Sequence, residues 1–140
     1  MASTDITREP AGDDAAKTAS ATIIVCITCR RPDDPEDFPR PGLAFAAETE
    51  RAARGRGVRV KRVRCLANCK RGLSAAVRRD GGWTYIFGDL DPANDAAALI
   101  EGARLLDGAL DGVMPWRGRP DVLKRGLIAR VPPIDYEEIE

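Results

Sequence analysis

The stretch that decides the fold runs Val58-Arg59-Val60-Lys61-Arg62-Val63-Arg64-Cys65-Leu66-Ala67-Asn68-Cys69. Valine alternates with arginine and lysine up to Cys65, and this alternation is typical of a β-strand. The alternation slips between Val60 and Val63, so a β-bulge is expected there. The predicted strand, Val58 to Cys65, therefore leads directly into a Cys-x3-Cys pair formed by Cys65 and Cys69.

A second cysteine pair follows a second short apolar run. The run Thr22-Ile23-Ile24-Val25 predicts a strand buried on both faces. It ends in Cys26-Ile27-Thr28-Cys29, which is a Cys-x2-Cys pair. The chain has 4 cysteines, all in these pairs, and 0 histidines.

A helix is predicted between the two strands, over Gly42–Arg56, because its apolar residues recur at helical spacing. Two strands joined through a helix are expected to be parallel, and either adjacent or one strand apart. Both cysteine pairs would then lie at the carboxyl ends of parallel strands, where open α/β sheets bind their ligands. The sequence therefore predicts one site with four thiolate ligands, namely Cys26, Cys29, Cys65 and Cys69.

The remaining elements complete a mixed sheet. Strands are predicted over Ser74–Val77 and Trp83–Phe87, with a hairpin signal between them. Asp91-Pro92 is expected to open a second helix, with the proline in its first turn. The apolar face of that helix is Leu99, Ile100, Ala103, Leu106 and Leu110. We predict an α/β fold with a mixed sheet of about four strands and two flanking helices.

The chain divides into three predicted regions. Residues 1–20 lack a sustained apolar period and are expected to form a disordered leader. Residues 21–112 are predicted to form the domain that carries the four cysteines and binds the metal or cluster. The total length of 140 residues suits a single domain. Residues 113–140 are expected to form an extended tail, with one helical turn near Val122 to Arg125. We expect this tail to pack on its own domain or on the partner in a homodimer.

Bulk composition excludes several classes of function. The 22 basic residues balance 22 acidic ones, and aromatic residues make up 5%, which argues against a nucleic-acid partner. No apolar run approaches the ~18 residues of a membrane span, and no signal-peptide core precedes Ala21. We therefore expect a cytoplasmic protein with no membrane partner. In that compartment, metal or redox chemistry explains the cysteines better than a disulfide framework.

Four thiolates suit either an iron–sulfur cluster or zinc. The x3 spacing of the second pair is longer than a usual zinc knuckle, and two pairs suit a [2Fe–2S] cluster with one iron on each pair. A zinc- or cobalt-binding module, a metallochaperone and a structural zinc domain use the same ligands and stay open. The alternative that the four cysteines are simply buried structural residues also stays open.

A thioredoxin-type dithiol at Cys26-Ile27-Thr28-Cys29 is another alternative. Such a dithiol depends on a helix N-terminus that lowers the pKa of its first thiol. Prolines are dense between Arg30 and Pro41, and proline disfavours a helix directly after Cys29. This reading also leaves Cys65 and Cys69 unexplained.

A basic run surrounds the second cysteine pair. Ten basic residues and no acid lie between Arg54 and Arg79. They would stabilise an anionic cluster, and Arg64, Lys70 and Arg71 would dock a redox partner with an acidic surface. The alternative is that the basic run is simply the solvent-exposed face of a strand and binds no partner. No nucleophile–base pair is evident, so electron transfer is expected rather than enzymatic catalysis.

Two resemblances extend this reading. The pair Cys65-x3-Cys69, closing a strand and followed by Lys70-Arg71-Gly72, resembles the second half of thioredoxin-like [2Fe–2S] ferredoxins. The order of elements from Thr22 to Leu110 is similar too, whereas Cys26-x2-Cys29 is more closely spaced than that family's usual first pair. The resemblance implies a thioredoxin-like fold and a [2Fe–2S] cofactor held by the four cysteines.

The chain resembles still more closely an uncharacterised family of predicted metal-binding proteins, often encoded near cobalamin-biosynthesis genes. That resemblance implies electron supply to cobalt or corrin reduction, or metal handling. The residues that carry it are Cys26-x2-Cys29, Arg64-Cys65-Leu66-x2-Cys69, Pro115-Trp116-Arg117, Arg119-Pro120 and Arg130-Val131-Pro132.

Overall fold

The structure, a computed structural model, describes residues 21–31, 34 and 39–137. The predicted leader, residues 1–20, lies outside the described residues, and so do residues 138–140. The strands are β1 (Thr22–Cys26), β2 (Arg59–Val63), β3 (Ala75–Arg78), β4 (Thr84–Phe87) and β5 (Leu127–Val131). The helices are α1 (Pro41–Ala53), α2 (Ala96–Asp107) and α3 (Val122–Arg125), and a 3-10 turn covers Cys69–Arg71.

The five strands form one mixed sheet in the order β2-β1-β3-β4-β5. β1 and β2 are adjacent and parallel, as predicted, and the other pairs are antiparallel. The pairing of β1 with β2 runs from Thr22 opposite Arg59 to Cys26 opposite Val63 without a shift. The predicted bulge in β2 is therefore wrong. β2 is an edge strand with largely exposed residues, so its alternation need not be strict. The predicted α/β fold class is confirmed.

Both long helices differ from the prediction at their ends. α1 ends at Ala53, before Arg56, and α2 begins at Ala96 rather than at Asp91. The Asp91 carboxylate accepts hydrogen bonds from the Ala93 N–H and the Asn94 amide, both at 2.9 Å. These bonds hold a turn, so the proline after Asp91 lies before the helix and not in its first turn.

The apolar face of α2 is largely the one predicted. Leu99, Ile100, Ala103 and Leu106 are buried against the sheet and α1. Leu110 is fully exposed, because the helix has already ended at Asp107. None of the described helices is long and apolar enough to cross a membrane.

The predicted tail contains two regular elements. α3 covers the residues predicted to form a helical turn, and β5 pairs antiparallel with β4, which makes a fifth strand where about four were expected. Met114 and Leu123 are buried in the core. The Met114 N–H donates to the Tyr85 hydroxyl at 2.9 Å. Residues 114–131 thus pack on the domain of their own chain.

Candidate metal centre

The two cysteine pairs follow β1 and β2 at one edge of the sheet. Cys26 ends β1 and pairs with Val63, which ends β2. The Ile27 N–H donates to the Val63 carbonyl at 2.9 Å and extends the ladder past the strands. We call this region, residues 26–29 together with residues 64–74, the cysteine edge. Its position matches the one predicted from the parallel strands.

The first pair is built into the core. Cys26 and Cys29 are 3% and 5% exposed. The first turn of α1 lies directly against them, where the Gly42 N–H donates to the Cys29 carbonyl at 2.9 Å. A Cβ atom on Gly42 would lie 2.3 Å from the Cys26 carbonyl oxygen and 3.0 Å from the Cys29 nitrogen, so only glycine fits.

As predicted, no described residue directly after Cys29 is helical, but the first turn of the next helix, α1, folds back against the backbone of the first pair. The chain returns to the cysteines at Pro41, and proline suits the first turn of a helix. Proline density excludes a helix directly after Cys29, but it does not decide where the next helix begins. The lowered pKa of Cys26 comes from Cys29, Leu66 and Thr28 and not from α1, so the helix does not supply the activation that the dithiol alternative requires.

The pKa values of the two thiols in this pair are shifted in opposite directions. The Cys29 thiol donates to the Cys26 sulfur and lowers the pKa of Cys26. Burial opposes that shift, and the Leu66 N–H adds to it. The same bond and burial raise the pKa of Cys29. Cys26 is thus the favoured thiolate and Cys29 the retained thiol in the metal-free protein.

The second pair is exposed. The Cys65 sulfur accepts the Ala67 N–H at 3.1 Å, within a turn where Ala67 has a φ of 58°. Cys69 begins the 3-10 turn. The Asn68 amide donates to the Ser74 hydroxyl at 2.8 Å and fixes the loop to the chain just before β3. The second pair therefore lies on an exposed loop and not in the core.

Contacts between the loops bring the pairs together. The Cys26 sulfur lies 3.7 Å from the Arg64 carbonyl oxygen, and the Thr28 hydroxyl donates to the same oxygen at 2.5 Å. Leu66 donates its N–H to Cys26. Arg64 and Leu66 flank Cys65 in sequence. Cys26 thus packs against the backbone on both sides of Cys65.

Three of the four predicted ligands share one cavity. Its volume is about 490 Å³, and its lining includes Cys26, Cys29 and Cys69 but not Cys65. Four basic side chains also line it: Arg30, Arg31, Arg40 and Lys70. Within the described residues, no group of three or more cysteine or carboxylate side chains is arranged to hold a metal ion.

The donor chemistry of the cavity fits an anionic thiolate centre. Cationic lining offsets the negative charge of thiolates, and the cavity is far larger than one metal ion. The arrangement of the donors is incomplete, because Cys65 does not line the cavity and no three of the described cysteines lie close enough together to hold a metal ion. The structure therefore places Cys26, Cys29 and Cys69 on the walls of one cavity and Cys65 in the adjoining turn.

The basic run is not a uniform patch. Arg71, a predicted docking residue, donates to the Asp89 carboxylate at 2.9 and 2.5 Å. Arg62 pairs with Glu50 at 2.7 Å. Arg79 donates to three carbonyls at the end of α2, those of Leu106, Asp107 and Ala109.

Two of the predicted docking residues remain exposed. Arg64 and Lys70 are exposed, and neither forms an ion pair with a described residue. Lys70 also lines the cavity of the cysteine edge. Exposed positive charge therefore lies beside the second pair, as it does at Arg56, Arg59 and Lys61 elsewhere in the run.

Sequence reasoning missed the residues that support the cysteines. Thr28 lies between two of them, which is a signal that could have been used. Ser74 hydrogen-bonds Cys29 and Asn68, although its sequence position reads only as the start of a strand. Gly42 has no sequence signal, because its role depends on where α1 returns to β1.

Comparisons with known proteins place the chain as follows. Residues 23–133 match the family described as "Protein of unknown function (DUF1636)". No curated protein matches the chain. Among solved structures, the chain is similar to a thioredoxin-like [2Fe-2S] ferredoxin from Aquifex aeolicus. The two are 20% identical, the match covers 83% of this chain and 97% of that chain, and the TM-score is 0.48. A likeness at this level carries over neither cofactor nor activity.

Proposed function

The chain belongs to the DUF1636 family, and we propose that it is a small electron carrier holding one [2Fe–2S] cluster. The ligands in this proposal are Cys26, Cys29, Cys65 and Cys69. One observation carries it: two cysteine loops leave adjacent parallel strands at the same edge, and three of their thiols line one cavity with basic walls. When bound, the cluster supplies one-electron chemistry.

The electrostatics of the cavity support thiolate ligation. Thiols must lose their protons to bind metal, and each thiolate adds negative charge to the site. The pKa of Cys26 is already lowered, chiefly by the Cys29 thiol. Lys70 adds positive charge to the lining, which would offset the negative charge of ligating thiolates.

Cys65 completes the proposed site by a local change. Its side chain is exposed, so it can adopt another rotamer without disturbing core packing. Its backbone already contacts the first pair, through the Cys26 sulfur and the flanking residues Arg64 and Leu66. In the proposed cluster-bound form, Cys65 and Cys69 both move towards the first pair, and their exposure makes that movement possible without disturbing the core.

A zinc- or cobalt-binding module or metallochaperone is the second candidate. The exposure of Cys65 and Cys69 favours it, because accessible thiols can receive a metal from a donor protein or pass it on. Cobalt chemistry as the destination of electrons or metal is the part of the proposal that rests on resemblance to the family near cobalamin genes. In either case Arg64 and Lys70 would contact an acidic partner.

Anaerobic purification followed by metal, sulfide and absorption analysis tests the proposal. We expect about two irons and two acid-labile sulfides per chain, and visible absorption that bleaches on reduction. Cys26→Ser and Cys65→Ser should each lower the iron content sharply, and the exposed control Leu110→Ser should not. Stoichiometric zinc without sulfide or a visible band would refute the electron carrier and favour the second candidate.

A further inference from the structure

The tail motifs that carry the family resemblance surround a second cavity, which the proposed function does not use. This tail cavity has a volume of about 530 Å³, within the usual range for small-ligand sites. Pro115, Trp116, Arg119 and Arg130, from all three tail motifs, line it. None of the four cysteines does.

Arg119 is the unusual residue of this cavity. Its side chain lies almost completely inside the protein, with the residue 7% exposed. Its Nε donates to the Pro115 carbonyl at 3.1 Å and its Nη2 to the Met114 carbonyl at 2.5 Å. A guanidinium has five N–H donors, so Arg119 keeps N–H groups that can bind a further acceptor after these two bonds are made. The described residues supply no carboxylate to pair with it.

A buried cation without an anion is costly, and it calls for a ligand or a partner. The guanidinium is held in place by two aromatic rings, 5.5 Å from the Tyr85 centroid and 5.2 Å from the Trp116 centroid. The Tyr85 oxygen accepts the Met114 N–H, so its own proton is free to point towards another acceptor. Two donors on the cavity wall are thus fixed before any ligand arrives.

The remaining walls define the ligand class. Arg130 adds a second positive charge at the exposed rim, and the exposed Asp111 adds one negative charge. The lining therefore has a net charge of about +1, which favours a monoanion over a dianion such as phosphate. Most other lining residues are apolar, including Val113, Met114 and Leu127.

We propose that the tail cavity binds a small apolar monocarboxylate, whose carboxylate receives hydrogen bonds from Arg119 and the Tyr85 hydroxyl. Guanidinium–carboxylate bonds are the strongest that such a wall can offer, and they supply the missing counter-charge of Arg119. The apolar part of the ligand would lie against Met114 and Leu127. Because the two cavities share no lining residue, this proposal stands or falls independently of the cluster.

Titration of the full-length protein with benzoate, and with benzamide as its uncharged counterpart, tests the proposal. Calorimetry and intrinsic tryptophan fluorescence, to which both Trp83 and Trp116 contribute, report binding. We expect saturable benzoate binding with a dissociation constant on the order of 1 mM, a value a fragment of that size can reach. Benzamide and inorganic phosphate should each bind at least about tenfold more weakly. Benzamide cannot form the charge-assisted hydrogen bonds, and phosphate brings a second negative charge.

Two variants and a matched control locate the site. Arg119→Gln should weaken benzoate at least about tenfold, and the exposed Arg130→Gln by about two- to fivefold. Arg125→Gln removes an exposed arginine of α3 that does not line the cavity and should leave affinity unchanged. If Arg119→Gln does not fold, the benzoate–benzamide ratio and Arg130→Gln still decide. Equal binding of benzamide, absence of saturation roughly tenfold above the expected constant, or equal loss in Arg125→Gln would overturn the proposal.

Discussion

The two cysteine pairs lie at the same edge of the sheet but belong to different kinds of structure. Cys26 and Cys29 are buried, whereas Cys65 and Cys69 are exposed. β1 and α1 fix the first pair, and an exposed loop held by both backbone and side-chain hydrogen bonds carries the second. Half of the proposed site is therefore prepared by folding, and the other half is left adaptable.

The difference follows from the position of each strand in the sheet. β1 lies between β2 and β3 and is covered by α1, so a residue at its end meets neighbours on several sides. β2 is the edge strand, and Cys65, which follows it, is exposed, although other residues of its loop contact Thr28 and Asp89. A metal ligand on the β2 side can thus move at little cost, which suits a site that opens to take up a metal or cluster.

The largest expected effect comes from filling the contact between α1 and the first pair. Gly42→Ala would place a methyl group 2.3 Å from the Cys26 carbonyl oxygen. Backbone must then move, and we expect unfolding to become easier by about 1–3 kcal/mol or more, with loss of metal. Gly108→Ala is the control, because its nearest atom would be 3.6 Å away. Equal melting temperatures for the two variants would contradict a preformed first half.

The next largest effect is a difference in stability between variants of the two cysteine pairs, measured in the metal-free protein. Cys26→Ser puts a more polar group in a buried position and should destabilise the apo protein by about 1–3 kcal/mol. Cys65→Ser changes an exposed side chain and should stay within about 0.5 kcal/mol of wild type. Urea denaturation of both apo variants measures the difference. Similar losses in the two would show that the second pair is as firmly held as the first.

The sequence predicted those parts of the fold that depend on local patterns. Parallel β1 and β2 followed from two strands separated by a helix, and the buried face of α2 followed from its apolar spacing. β5 was missed because its sequence, Leu127-Ile128-Ala129-Arg130-Val131, shows no alternation, and its place depends on pairing with β4. The same limit applies to the contact of Gly42 with Cys26, which depends on tertiary packing alone.

The candidate site was predictable to a similar degree. Cysteine spacing and strand direction placed both pairs at one edge, but neither indicates which side chains face the shared cavity. Cys65 does not line that cavity, and it precedes a turn at Ala67 whose left-handed φ is uncommon for alanine. Arg71 was predicted to dock a partner, yet its pairing with Asp89 depends on the β4–α2 connection, far along the chain.

Thiol labelling sharpens the comparison without altering the chain. In the metal-free protein, a bulky maleimide should modify Cys65 and Cys69 first, since burial shields Cys26 and Cys29. Mass spectrometry after short exposure measures the order. Reconstitution with iron and sulfide should protect all four, because a ligating thiolate is unavailable for alkylation. Persistent labelling of Cys65 in the reconstituted protein would remove it from the ligand set.

The smallest effect concerns the two cations beside Cys69. Lys70→Glu should slow association with an acidic redox partner severalfold at low salt, and the difference should shrink as salt rises. Arg71→Glu should slow association too, but it also breaks the exposed Asp89 pair, which adds a stability loss of about 0.2–1 kcal/mol.

Arg56→Glu is the matched control for both charge reversals. It changes an exposed arginine in the turn between α1 and β2, at the opposite end of β2 from the cysteines. Stopped-flow electron transfer over a range of salt, with melting curves for each variant, distinguishes docking from folding. If Arg56→Glu slows association as much as Lys70→Glu, steering comes from the total charge of the basic run. If Lys70→Glu alone among the variants slows association without a change in melting temperature, the partner meets the protein at the adaptable half of the cysteine edge.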